Sequence, residues 1–268
     1  MTTSVITDPV LPDVGTDHRR VVPLFAVHNF RDMGGYPTAD GRVTRWHRVF
    51  RADGLQRLTE GDLELLRPYH LRTVIDLRTI GEIEESGRFD VDQYPLNWVH
   101  LPIVDATWHF EGRKAEGNAH DFLVNAYLDM LRVGAARFNQ ALHLLAEPSV
   151  GPVVFHCAAG KDRTGLVAAL ALAAVGVPDE YIAADYGLTA DGMARTRLWA
   201  ATHRPAFLER MNSAPPGFMA ALPSALLEVF DHVRRDHGSI DEYLATLGVT
   251  ADVVTGLRAN LLIESTDI

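Results

Sequence analysis

Residues 153–178 constrain the fold more than any other part of the chain. Val153-Val154-Phe155-His156 is a β-branched, apolar run with the character of a buried strand. A loop of small residues follows, and the uncharged Ala/Leu-rich run from Thr164 to Val177 reads as a buried helix that stops at Gly176 and Pro178. A strand passing straight into such a helix is an α/β unit. The loop between them, Cys157-Ala158-Ala159-Gly160-Lys161-Asp162-Arg163, therefore lies where helix N–H groups point outward without partners.

The residue types in that loop suit covalent phosphate chemistry. Attack on a phosphate ester needs a thiolate, and a free cysteine is mostly protonated at neutral pH. A helix amino end with Lys161 and Arg163 beside Cys157 stabilises the anion; a drop of about three pKa units corresponds to roughly 4 kcal/mol. Successive N–H groups from Ala158 to Arg163 can form an anion-binding nest, and Ala158, Ala159 and Gly160 let that backbone come close to phosphate oxygens. Arg163 supplies a planar fork for two oxygens. Thr164 is placed to hydrogen-bond the sulfur, and His156 to brace the loop. The plain alternative is an inert buried cysteine in an ordinary connection, which leaves Lys161, Asp162 and Arg163 together by chance. A nucleoside-triphosphate loop fits poorly, because Phe155 stands where its first glycine belongs and Asp162 where its Ser/Thr belongs.

The rest of the chain extends the α/β pattern. Arg48–Arg51, Thr73–Leu77 and Trp98–Leu101 read as strands. Thr59–Tyr69 reads as a helix capped by Thr59 and Asp62, and Phe122–Val133 and the stripe Phe138, Leu142, Leu145 as two more. Glu82, Glu84 and Glu85 read as a solvated face, and the polar stretch His109–Ala119 as a mobile loop. The expected fold is a central, largely parallel sheet with helices on both faces, followed by extra C-terminal helices. Residues 1–20 are expected to form a flexible arm and 21–268 a single domain. Large apolar residues in 188–222, interrupted by Gly192, Pro205, Pro215 and Gly217, suit either core or a helical lid.

Formal net charge of −10 disfavours nucleic acid as a partner, and no apolar run is long enough for stable membrane insertion. One cysteine in 268 residues excludes an internal disulfide and suits a reducing, cytoplasmic setting, with export lacking a recognisable signal left open. The twelve histidines show no metal spacing, and no metal or other cofactor is expected.

His156-Cys157 followed after five residues by Arg163-Thr164 resembles the signature loop of the cysteine-dependent phosphatases. The whole run to Gly165 is similar to that of the atypical bacterial tyrosine and lipid phosphatases, as are Asn29–Gly35, Phe50–Asp53 and Val74–Thr79. That resemblance covers about residues 25 to 175. It implies attack by Cys157 through a cysteinyl-phosphate, and a phosphorylated protein or phosphoinositide as partner. It also implies Asp162 as the general acid; Asp76 and Asp53 compete for that role. Lys161 has two readings: contact with a second anionic group on the substrate, or stabilisation of the thiolate. A catalytically silent phosphate-binding module and a sulfurtransferase are the alternatives in other function classes.

Overall fold

The computed structural model describes residues 10–91, 94–105, 118–214 and 216–267. The chain opens with β1 (Arg31–Asp32), β2 (Arg42–Thr44) and β3 (Val49–Ala52), then α1 (Glu60–Leu66), β4 (Thr73–Asp76), α2 (Ile80–Ser86) and β5 (Asn97–His100). Helices α3 (Ala119–Val133) and α4 (Ala135–Ala146) lead to β6 (Val153–His156) and α5 (Asp162–Ala174). Next come α6 (Asp179–Gly187), α7 (Thr189–His203), α8 (Pro205–Ser213) and α9 (Pro216–Met219). The chain finishes with α10 (Pro223–His237), α11 (Ile240–Thr246), α12 (Ala251–Leu261) and a short β7 (Leu262–Glu264).

The central sheet has the order β1-β3-β6-β4-β5. All its pairings are parallel except β1 with β3, so the largely parallel sheet expected from the sequence is present. Alternating residues of each strand enter opposite cores, because side chains of a strand point to alternate faces. Val153 and Phe155 pack with Tyr127, Leu142 and Leu170 from the helices on one face, whereas Val154 packs with Phe50, Val74 and Leu66 on the other. Every residue from Leu166 to Leu172 in α5 is buried, which is why this helix is apolar all round. Ala52, His156 and Asp76 stand in register at the carboxyl ends of β3, β6 and β4, the edge where parallel sheets present ligand sites.

Two sequence expectations change, one gains an addition and one falls almost wholly outside the described residues. The described part of the arm, residues 10–20, is tied down: Val14 is buried, and Arg20 donates to the carbonyls of Asp32 and Gly34 at 2.9 and 2.5 Å and stacks over Tyr36. The C-terminal region ends in β7, which pairs with β2 in a separate two-stranded sheet. Nearly all of the stretch His109–Ala119 lies outside the described residues, and α3 begins at Ala119. Finally, Glu82 is no solvated charge. Thr79 and Glu82 form a capping box that starts α2, and the Glu82 side chain turns toward the signature loop. Among the described residues, no helix is long and apolar enough to cross a membrane.

Candidate active site

The signature loop is held from behind by its carbonyl groups. Ala158 O accepts from Gly54 N at 3.1 Å, and Asn29 Nδ2 donates to Ala159 O and Gly160 O at 3.0 and 3.1 Å. Arg51 Nη2 donates to Gly160 O at 3.0 Å. Across a trans peptide the next residue's N–H points opposite to the carbonyl. Anchoring these carbonyls therefore turns the N–H groups of Ala159, Gly160 and Lys161 to the loop's other side. Gly160 has a φ of +66°, and a Cβ there would lie 2.5 Å from Ala52 O, so only glycine fits.

The anchor itself is a buried ionic cluster. Asp185 of α6 accepts from Arg31 Nε at 2.9 Å, Arg51 Nη1 at 2.5 Å and Tyr36 Oη at 2.9 Å. Burial would raise the Asp185 carboxyl, but the two guanidiniums outweigh it and hold the group well below the usual carboxylate range. Two cations balanced by one anion leave the rear of the loop positive, which favours an anion on its front.

Cys157 sits at the mouth end of β6 and is 2% exposed, and Ala158 beside it is exposed. Arg163 meets Glu82 in a bidentate pair, Nη1 to Oε2 at 2.5 Å and Nη2 to Oε1 at 2.8 Å. The pair uses one edge of the guanidinium and leaves the Nε edge for another ligand. Burial opposes both charges; the pairing wins, lowering the Glu82 carboxyl and raising Arg163. Thr164 is fully buried in the first turn of α5, and its hydroxyl has no partner among the described residues.

A model described as the tyrosine phosphatase family matches residues 22–263. The chain belongs to that family. Its activity class is accordingly that of a protein-tyrosine-phosphatase-type hydrolase. A tyrosine-protein phosphatase of Nostoc commune is 28% identical over 218 residues, covering 79% of this chain and 73% of that one. The triple specificity protein phosphatase PtpB of Mycobacterium tuberculosis is 28% identical over 274 residues, covering 87% and 96%. Among solved structures, the Siw14 catalytic core aligns with 71% of this chain and 94% of its own at 12% identity and a TM-score of 0.38.

The three aspartates named from the sequence occupy different settings in this phosphatase. Asp76 is fully buried, with both oxygens on the Arg78 guanidinium at 2.9 and 2.6 Å. Burial alone would raise its carboxyl; His156 facing it at 3.6 Å and the Arg78 hydrogen bonds bring it below the ordinary value. His156 also reaches Cys157 O through Nδ1 at 3.2 Å. Asp53 accepts from the backbone of His28 and Asn29 and pairs with Arg57. Asp162 alone of the three retains exposure at the loop, accepting from Tyr127 Oη at 2.7 Å, with Lys161 Nζ at 3.4 Å. Lys161 is buried and donates to the carbonyls of Phe218 and Ala220.

Four residues join the site without having stood out in the sequence: Glu82, Tyr127, Tyr186 and Asp185. The Thr79-x-x-Glu82 capping signature is a local signal for the first; a lone tyrosine or aspartate within a helix carries no signal of its partner.

Proposed function

We propose that this chain hydrolyses phosphomonoesters through a cysteinyl-phosphate on Cys157. Its substrates are phosphotyrosine and, by extension, phosphoserine, phosphothreonine or phosphoinositides. The observation that carries this reading is the loop held by its carbonyls from Gly54, Asn29 and Arg51, with its N–H groups turned forward between Cys157 and Arg163. In the first step the Cys157 sulfur attacks phosphorus in line. A P–S bond forms, the P–O bond to the leaving group breaks, and Asp162 gives its proton to the departing oxygen. The Ala158–Arg163 amides and the free edge of Arg163 bind the equatorial oxygens and offset the charge. In the second step water attacks phosphorus, Asp162 takes its proton, and the P–S bond breaks to return thiolate and inorganic phosphate. Thr164, with its hydroxyl uncommitted, serves the returning sulfur, and His156 with Asp76 braces the strand end beneath it.

Asp162 is favoured as the acid because Asp76 and Asp53 have their oxygens committed to cations and backbone amides, whereas Asp162 keeps a partly exposed carboxylate at the loop. Phosphotyrosine is supported by the family, and a broader range by the triple specificity relative. Residues 188–222 serve as a lid: α9 is tied to the loop through Lys161, and detaching it would free that ammonium for a second anionic group on a larger substrate.

Turnover of p-nitrophenyl phosphate tests the reading. Activity that resists EDTA and disappears in Cys157→Ser is expected. A Cys157→Ser variant with unchanged turnover would overturn it, and cyanide-dependent thiocyanate release from thiosulfate in place of phosphate release would turn the site into a sulfurtransferase.

A further inference from the structure

Two buried tyrosines converge on the partly exposed carboxylate of the loop. Tyr127, on α3 and fully buried, reaches across the base of α5 to place its hydroxyl 2.7 Å from Asp162 Oδ1. The Tyr186 hydroxyl, from α6, lies 2.5 Å behind it, and the two rings meet edge-on at 6.1 Å. An ionised carboxylate only accepts, so Tyr127 donates to Asp162 and accepts in turn from Tyr186. The Tyr186 ring also lies against the first turn of α5, where a Cβ on Gly165 would stand 3.0 Å from it. Burial, followed by the Asp162 charge, pushes both phenols above their ordinary value, so both keep their protons across the working pH range. Lys161 Nζ approaches the same oxygen at 3.4 Å, and Oδ2 has no hydrogen bond among the described residues.

We propose that Tyr127, backed by Tyr186, is a positioning residue for the reaction: it fixes Asp162 Oδ1 so that Oδ2 is the atom that hands over and later recovers the proton. This rests on Asp162 being the general acid. Helix α6 then references both halves of the site, since Asp185 on it anchors the loop through Arg51 while the adjacent Tyr186 anchors the acid. Among the described residues, the charged and titratable groups facing Asp162 are Lys161, Arg163, Tyr127 and Tyr186.

The test is the pH profile of kcat/KM on phenyl phosphate, which needs leaving-group protonation, and on p-nitrophenyl phosphate, which needs little. Tyr127→Phe removes one oxygen. It should lower kcat/KM for phenyl phosphate about tenfold and for p-nitrophenyl phosphate far less, because the acid step is the one disturbed. Without the Tyr127 donor the ionised form of the acid is less stabilised, so the basic limb of the profile should move to higher pH. In an Asp162→Asn background the same change should have no further effect. If Asp162→Asn flattens the basic limb while Tyr127→Phe leaves limb and leaving-group ratio at wild-type values, the positioning role is wrong and the acid assignment stands. If Asp162→Asn leaves the limb intact, both fall together. Should Tyr127→Phe not fold, Tyr186→Phe, which deletes only the rear hydroxyl, must shift the limb upward by a smaller amount; no shift refutes the proposal.

Discussion

Asp185→Asn is the substitution whose cost follows most directly from the geometry. The aspartate balances two guanidiniums whose side chains are 2% and 1% exposed, so its loss leaves Arg31 and Arg51 buried with no counter-charge. Asparagine keeps the volume and one acceptor, but its amide would point donors at donors. Breaking a buried pair from one side costs about 3–5 kcal/mol. For a chain of 268 residues the unfolding entropy is about 0.6 kcal/mol/K, so Tm should fall by about 5–9 °C at pH 7.5. The sign of the pH dependence is fixed by linkage. The folded Asp185 carboxyl lies below its unfolded value of about 3.9, so its stabilisation is complete above that pH and is lost as pH falls toward the folded value. The gap between wild type and variant should therefore be constant from pH 7.5 to about 5 and narrow below about 4. Calorimetry at several pH values reads it. A Tm within about 1 °C of wild type at pH 7.5, or an equal gap at pH 7.5 and 3.5, would refute the argument. Since Arg51 also holds Gly160 O, kcat/KM on p-nitrophenyl phosphate should fall together with Tm.

Two further substitutions probe the front of the loop. Glu82→Gln removes the charge that fixes Arg163, so kcat/KM should drop about 10- to 100-fold and inhibition by inorganic phosphate should weaken in step; unchanged phosphate inhibition would show that Arg163 orients itself. Lys161→Met removes the hydrogen bonds to the carbonyls of Phe218 and Ala220. Protease nicking between residues 190 and 220 should accelerate several-fold, and phosphoinositide turnover should fall further than phosphotyrosine turnover. Equal nicking and equal losses would dismiss both the tie and the selective role.

Much of the site is legible in the sequence because its parts are contiguous. The β6 run, the small-residue loop and the α5 helix each announce themselves through local pattern, and their order along the chain is enough to place Cys157 and Arg163 at a helix amino end. The parallel sheet follows from strands separated by helices, and the Thr59 cap from spacing alone. Partnerships between distant segments are beyond such reasoning. Arg163 with Glu82, Arg51 with Asp185 and Asp162 with Tyr127 lie 81, 134 and 35 residues apart, and a charge or hydroxyl on a helix looks the same whether it meets water or a buried partner. Glu82 is the clearest case, a member of an acidic run that reads as solvated until α2 is packed beside the loop. Local order along the chain thus decided which chemistry is present. Packing between helices and sheet decided which way each charge points, because burial and Coulomb energy depend on neighbours in space and not on neighbours in sequence.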